Sequence, residues 1–297
     1  MAEPAPSLSV GGKTCVVTGA NRGIGRATAQ GLAALGARVV LVARDATAGE
    51  AAAAEIRHAT GNSAVELATA DLASQASIRR LAAELLARCP RLDVLVNNAG
   101  LVTPSRTLTV DGIETTFAVN HLAYFLLTNL LLDRLKASAP ARIVNVSSEA
   151  HQGHQLDFDD LQLKRGWRRV KAYSLSKLAN VMFTYELARR LDGSGVTANC
   201  LSPGVIATKL LLDYLPLPSI TQPVTTAFAG TPEQGAETPL YLAASAEVEG
   251  VTGEYFARRK PKKSAAFSYD TTAAKRLWDE SARLTGLFDP IVTPRVD

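Results

Sequence analysis

The sequence predicts one α/β domain, residues 1–297, built on a doubly wound parallel sheet of about seven strands flanked by helices. Three observations predict it. Short apolar or β-branched runs alternate six times with helical runs. The second of these runs, ARVVLVA at 37–43, is apolar without alternation, as suits a parallel strand covered on both faces. No internal repeat and no linker divides the chain. Connections in such a sheet are right-handed.

The first strand, 13–18 (KTCVVT), runs at once into Gly19-Ala20-Asn21-Arg22-Gly23-Ile24-Gly25, and a helix follows at 26–35, ended by Gly36. A glycine turn between strand and helix lets backbone N–H groups approach a phosphate, and the helix amino end favours its charge. The spacing is G-x-x-x-G-x-G, not the common dinucleotide fingerprint. The second strand ends Ala43-Arg44-Asp45. An acid at that place holds a ribose hydroxyl, whereas an arginine accommodates a 2′-phosphate. Arg44, joined by Arg22 from the glycine turn, makes a phosphate clamp and favours NADP over NAD. Asp45 keeps NAD open, or serves as the N-cap of helix 46–60.

The third strand, 64–70, ends at Asp71-Leu72. Asp71 either accepts from an adenine amino group or caps helix 74–89. The fourth, 92–96, delivers Asn97-Asn98-Ala99-Gly100, small and amide residues suited to a cofactor crevice or to an ordinary turn. Helix 111–136 contains Asn120, unfavourable mid-helix unless solvated or held for a reason. The fifth strand, 141–146, delivers Ser147-Ser148. A polar insertion at 149–171 then breaks the rhythm, with His151, His154, Asp157, Asp159 and Asp160. These follow no strict ligand pattern, so no metal is expected, and the insertion reads as a surface lid or flap.

Helix 172–190 opens with Tyr173-Ser174-Leu175-Ser176-Lys177. Residues four apart share a helix face. A nearby ammonium lowers a phenol's pKa from about 10 towards the range of acid–base work at a carbonyl or alcohol oxygen. Strand 196–201 leads to Pro203-Gly204. Residues 205–230 read as a substrate-binding lid; their apolar stretch, 208–229, includes Leu210, Leu211, Leu212, Tyr214, Leu215, Leu217 and Ile220 among prolines. The alternative is a helix pair at a subunit interface. Helix 231–244, a last strand at 253–257 and a closing helix at 271–286 complete the chain.

Of the 297 residues, 47% are hydrophobic and 20% charged, enough for a large core. The net charge of +4 is modest, and a nucleic-acid partner is not expected. Arg258, Arg259, Lys260, Lys262 and Lys263 form a basic cluster read as a solvated loop. Cys15 and Cys200 sit in apolar runs and are read as buried thiols; with Cys89 the number is odd and the spacing wide, which reads as a reducing compartment without disulfides. Residues 1–12 lack an apolar signal core, and 126–135 is about half a membrane span. A soluble, cytoplasmic protein without a membrane span is expected.

Taken in order, Thr18 to Gly25, Asp71, Asn97 to Gly100, Asn120, Ser148, Tyr173-x-x-x-Lys177 and Pro203-Gly204 resemble the short-chain dehydrogenase/reductase family, with its Rossmann-type sheet. Val42-Ala43-Arg44-Asp45, the insertion after Ser148, Lys177-Leu-Ala-Asn180, Glu186-Leu-Ala-Arg-Arg190 and Arg276-Leu-Trp278 are similar to its retinol-dehydrogenase branch. The resemblance implies an NADP(H)-dependent reductase or dehydrogenase of a lipophilic ketone, aldehyde or alcohol. It makes Tyr173 the acid–base group, Ser148 its partner on the substrate oxygen, Lys177 the ribose ligand, and Asn120 the holder of a water next to Lys177. It assigns Gly19, Ile24 and Gly25 to the pyrophosphate, Arg22 and Arg44 to the 2′-phosphate, Asn98 and Ala99 to the adenosine ribose, and Val205 and Thr208 to the carboxamide. Asn21, Gly23, Asp71, Leu72, Gly100, Pro203 and Gly204 are further cofactor-binding positions. It also implies a homodimer or homotetramer through the two long helices. Fold alone does not give function. A cofactor-sensing or scaffold protein, or an epimerase or dehydratase that recycles its cofactor, are the alternatives.

Overall fold

The computed structural model describes residues 8–214 and 229–287. Leu215, Leu217 and Ile220 of the apolar lid lie outside the described residues.

The strands are β1 (Thr14–Thr18), β2 (Arg38–Ala43), β3 (Val65–Thr69), β4 (Val94–Asn97), β5 (Ala141–Val146), β6 (Val196–Ser202), β7 (Tyr255–Ala257) and β8 (Lys260–Pro261). They form one sheet in the order β3-β2-β1-β4-β5-β6-β7-β8. The first seven run parallel, and β8 folds back antiparallel on β7. The expected parallel sheet is therefore present with one extra edge strand. That strand comes from the basic cluster, which is solvated as expected but forms a tight hairpin: Arg258 and Arg259 have φ of 51° and 61°, the left-handed pair of a two-residue turn. Lys262 pairs with Glu149 at 2.7 Å, and Arg259 lies 3.9 Å from Glu237.

Helices α1 (Gly23–Ala34) and α2 (Ala46–Thr60) cover one face, and α3 (Gln75–Arg88) covers the other. The predicted helix 111–136 starts late and is interrupted. Glu114 caps α4 (Thr115–Phe117) by accepting from Phe117 N at 2.7 Å, a π-helical turn follows at Ala118–Leu122, and α5 (Ala123–Ala137) continues it. The run Thr115–Ala137 is long and apolar enough to cross a membrane, longer than the half-span expected, but 89% of its apolar window is buried in this fold. A helix apolar all round belongs to a core.

Helix α6 (Arg169–Arg190) is equally enclosed: every side chain from Ala172 to Ala188 is buried. Short α7 (Lys209–Tyr214) lies before the undescribed segment, α8 (Pro232–Ala244) packs on the α1 face, and α9 (Thr271–Thr285) closes the chain. Trp278 of α9 stands edge-on to Phe125 of α5 at 4.9 Å and stacks on Phe183 of α6 at 5.8 Å. Thus α9 packs against both long helices, α5 and α6. The insertion is anchored to the fold. Leu156 and Leu163 are buried with α6 and α9, Trp167 Nε1 donates to Glu114 at 3.2 Å, and Asp160 accepts from Lys164 N and Arg165 N at 2.7 and 2.9 Å.

Candidate active site

The order places β1 beside β4, where the connections diverge to opposite faces and leave a crevice at the strands' carboxyl ends. The glycine turn leaves β1 there. Gly19 has φ of +65°, and a Cβ on it would stand 2.9 Å from Ala99 Cα. A Cβ on Gly25 would stand 2.3 Å from Asn98 Nδ2 and 2.4 Å from Gly19 O. Thr18 Oγ1 accepts from the backbone N of Asn98 and Ala99 at 2.9 and 3.0 Å, and Asn98 Nδ2 donates to Thr18 O at 2.8 Å. The Asn98 side chain thus braces the two loops.

Arg22 sits at the N-cap of α1, where no side chain caps the helix and no acid stands in the first turn. The amino end of α1 is therefore open to an anion. Arg22 and Arg44 are both exposed, and neither has an ion-pair partner among the described residues. Asp45 is an N-cap: its Oδ1 accepts from Ala48 N at 2.9 Å. Ser74, not Asp71, caps α3; Asp71 Oδ1 is taken by Ala73 N at 3.0 Å, while Leu72 packs partly buried on the core. Thr208 lies over Gly23, its Cγ2 3.4 Å from where a Cβ would be. Gly204 has φ of +88°, and Val205 is 65% exposed. The backbone at Val205–Ala207 pairs with Gly230, closing the base of the segment between them.

Across the crevice, Tyr173 and Lys177 rise from the first turns of α6. Lys177 Nζ lies 5.6 Å from the Tyr173 ring centre and 5.7 Å from that of Tyr124, and it donates to Val146 O at 2.9 Å. Tyr214 of α7 covers Tyr173 at 5.0 Å between ring centres. The two serines after β5 divide. Buried Ser147 donates to Lys177 O at 2.8 Å, whereas half-buried Ser148 accepts from Ala150 N at 3.2 Å and lies close enough to Tyr173 to favour its phenolate. Asn120 sits in the π turn: its Oδ1 accepts from Leu101 N at 2.8 Å, and its Nδ2 donates to Leu101 O and Ser176 Oγ, both at 3.0 Å. A Cβ on Gly100 would be 3.5 Å from both Asn120 Oδ1 and Lys177 Nζ, so Gly100 keeps that space open.

The electrostatics differ from the lowering of Tyr173 that the Tyr–Lys spacing suggests. Burial pushes Tyr173 up to about 12, partly opposed by the Ser148 hydroxyl, and burial pushes Lys177 down to about 7. Desolvation outweighs the pairing because Nζ is turned to Val146 O. The two insertion histidines gather no metal group among the described residues. His151 is instead buried between Ser148 O at 2.6 Å and Ala265 N at 3.1 Å. Sequence reasoning missed Tyr124, whose hydroxyl donates to Ala99 O at 2.8 Å beside Lys177. Its place one helical turn after Asn120 was the available signal.

Comparison with known proteins agrees with this geometry. The "short chain dehydrogenase" family profile matches residues 13–214. Human "Retinol dehydrogenase 13" is 48% identical over 290 residues, covering 96% of this chain and 88% of its own length. Human "Retinol dehydrogenase 14" is 45% identical over 293 residues, covering 93% and 87%. Among solved structures, an uncharacterised protein from Mycobacterium paratuberculosis superposes with a TM-score of 0.77 at 36% identity, covering 94% of this chain and 96% of that one. The "Pseudomonas aeruginosa RhlG/NADP active-site complex" superposes at 0.70 with 30% identity, covering 89% and 99%.

Proposed function

Because the chain belongs to the short-chain dehydrogenase/reductase family, on its retinol-dehydrogenase-like branch, we propose that it is an NADP(H)-dependent oxidoreductase of a small lipophilic ketone, aldehyde or alcohol, acting in the cytoplasm. The observation that carries this reading is the meeting of Tyr173, Ser148 and Lys177 at the crevice that the glycine turn also enters.

The residues fit a phosphorylated dinucleotide. The turn has no room for a Cβ at Gly19 or Gly25, the amino end of α1 is uncapped, and Arg22 and Arg44 have no ion-pair partner among the described residues. Arg22 and Arg44 would hold the 2′-phosphate, the turn the pyrophosphate, and Lys177 the nicotinamide ribose. When bound, the nicotinamide supplies or accepts the hydride. The chain's part is the proton and the positioning. Tyr173 Oη donates its proton to the carbonyl oxygen as that oxygen gains charge, and Ser148 Oγ hydrogen-bonds the same oxygen. A phenol held at about 12 stays protonated at neutral pH, which suits reduction. Asn120 fixes the loop at Leu101 beside Lys177. Tyr214 and Leu210 offer an apolar wall to a lipophilic substrate.

The test is NADPH consumption with retinal, steroid ketones, aryl ketones and medium-chain aldehydes, run beside Tyr173→Phe. The wild type should turn over at least one class, and the variant should lose on the order of 10²–10⁴-fold in kcat, the usual worth of a positioned acid. Equal rates in both proteins would remove Tyr173 from its assigned role.

A further inference from the structure

His121 follows Asn120 in the π turn and is completely buried. Its Nε2 lies 2.9 Å from Ser281 Oγ of α9, and its Nδ1 lies 3.3 Å from Asn180 Oδ1 of α6. Asn180 Nδ2 in turn donates to Asn120 O at 2.8 Å. The directions are forced by that last bond. Asn180 Oδ1 is the acceptor, so His121 Nδ1 carries the hydrogen, and Nε2 accepts from the Ser281 hydroxyl. A neutral imidazole satisfies all three links at once, and burial holds His121 down to about 4.

We infer that Ser281, His121 and Asn180 form a buried clamp through which the closing helix α9 positions Asn120 in the crevice. The clamp grips the main chain at the residue whose side chain holds Leu101. A π turn wastes one regular helical bond and is marginal alone, so it needs such outside partners. Two packing contacts reinforce it: the His121 ring is 5.1 Å from Phe117 and 6.1 Å from Phe183, between centres. Among the described residues, the side-chain hydrogen bonds of His121 and Asn180 and the ring contacts of His121 go to Ser281, Asn120, Phe117, Phe183 and each other, not to Tyr173, Ser148, Lys177 or the glycine turn. His121 and Asn180 are positioning residues, and α9 is part of the site's support although it is far away in sequence.

This inference rests on the proposed role of Asn120, and the experiment separates the two. Asn120→Ala, His121→Phe, their double variant and the milder Ser281→Ala are compared with the wild type. Phe fits the aromatic surroundings of His121 but offers neither hydrogen bond. The expected loss in kcat for His121→Phe is on the order of 10- to 100-fold, the penalty for misplacing a group near the chemistry, with NADPH affinity unchanged. If His121 acts through Asn120, the double variant loses no more than Asn120→Ala alone. Losses that multiply would overturn the clamp and leave His121 an ordinary core residue. Amide hydrogen exchange gives a readout that needs no activity. The Leu101 amide, held by Asn120 Oδ1, should exchange faster in His121→Phe and in Ser281→Ala, while the amides of β1 do not change. An unchanged Leu101 amide in both variants also overturns the clamp. A wild type that reduces no carbonyl defeats the proposed function, and the exchange result still decides the clamp.

Discussion

The two walls of the crevice are built from different material. The glycine-turn wall is mostly backbone: main-chain approaches at Gly19 and Gly25, braced by hydrogen bonds of the Thr18 and Asn98 side chains, with two exposed arginines that have no ion-pair partner among the described residues. The α6 wall is side chain. Tyr173, Lys177, Asn120 and their supports are buried and bonded to one another or to nearby main chain. Shape is fixed by the first wall and chemistry by the second. A side chain on the first wall can therefore change what binds without changing stability, whereas a change on the second disturbs both.

The sharpest way to break that contrast is to add an atom to the backbone wall. Gly25→Ala places a methyl 2.3 Å from Asn98 Nδ2 and 2.4 Å from Gly19 O. Carbonyl and amide cannot both move away, so overpacking should cost roughly 1–3 kcal/mol of stability, read by urea unfolding, and NADPH binding should fall with it. Wild-type stability together with wild-type binding would show that the turn has slack the structure denies. Arg44→Asp should do the opposite. The side chain is exposed, so stability should move by less than about 0.5 kcal/mol. The preference for NADPH over NADH should drop by one to two decades, roughly the 1.5–3 kcal/mol of a charge-assisted bond. Unchanged selectivity in paired NADPH and NADH titrations would remove the argument from the two arginines.

The same contrast explains what could be read from the sequence. The parallel sheet was legible, though not its strand order, because covered parallel strands are apolar on both faces, and the glycine turn because a strand runs through it straight into a helix. The α6 wall was legible as a list of residues, but its supports were not: His121 and Ser281 are 160 residues apart, and nothing local marks them as partners. The π turn was hidden inside an apolar run that reads as one continuous helix. The β7–β8 hairpin was hidden because two arginines at positive φ do not announce a turn. The Tyr173–Lys177 spacing placed both groups correctly, yet it could not show that Lys177 Nζ is spent on Val146 O or that desolvation dominates.

That buried lysine gives the smallest and most specific prediction. Its folded value, about 7, lies below its ordinary 10.5. Between these values the unfolded chain holds a proton that the folded chain has released, so stability rises with pH across the window, and the full penalty applies below it. Tyr173 has the opposite sign: raised from 10 to about 12, it costs stability only as pH climbs past 10. His121, lowered from 6.5 to about 4, gives stability that is lost as pH falls through that range. Burial also raises the thiols of Cys15, Cys89 and Cys200 above their ordinary 9.0, which costs stability as pH climbs past 9, so the interval from about pH 7 to pH 9 is the one that isolates Lys177. Lys177→Met removes the titration and adds a constant for the lost Val146 bond. Urea unfolding of both proteins at several pH values should show the wild type gaining on the variant as pH rises, by at most about 1.4 kcal/mol per unit. Curves that stay parallel would mean that Lys177 keeps its charge in the folded protein, and that the α6 wall carries no such cost.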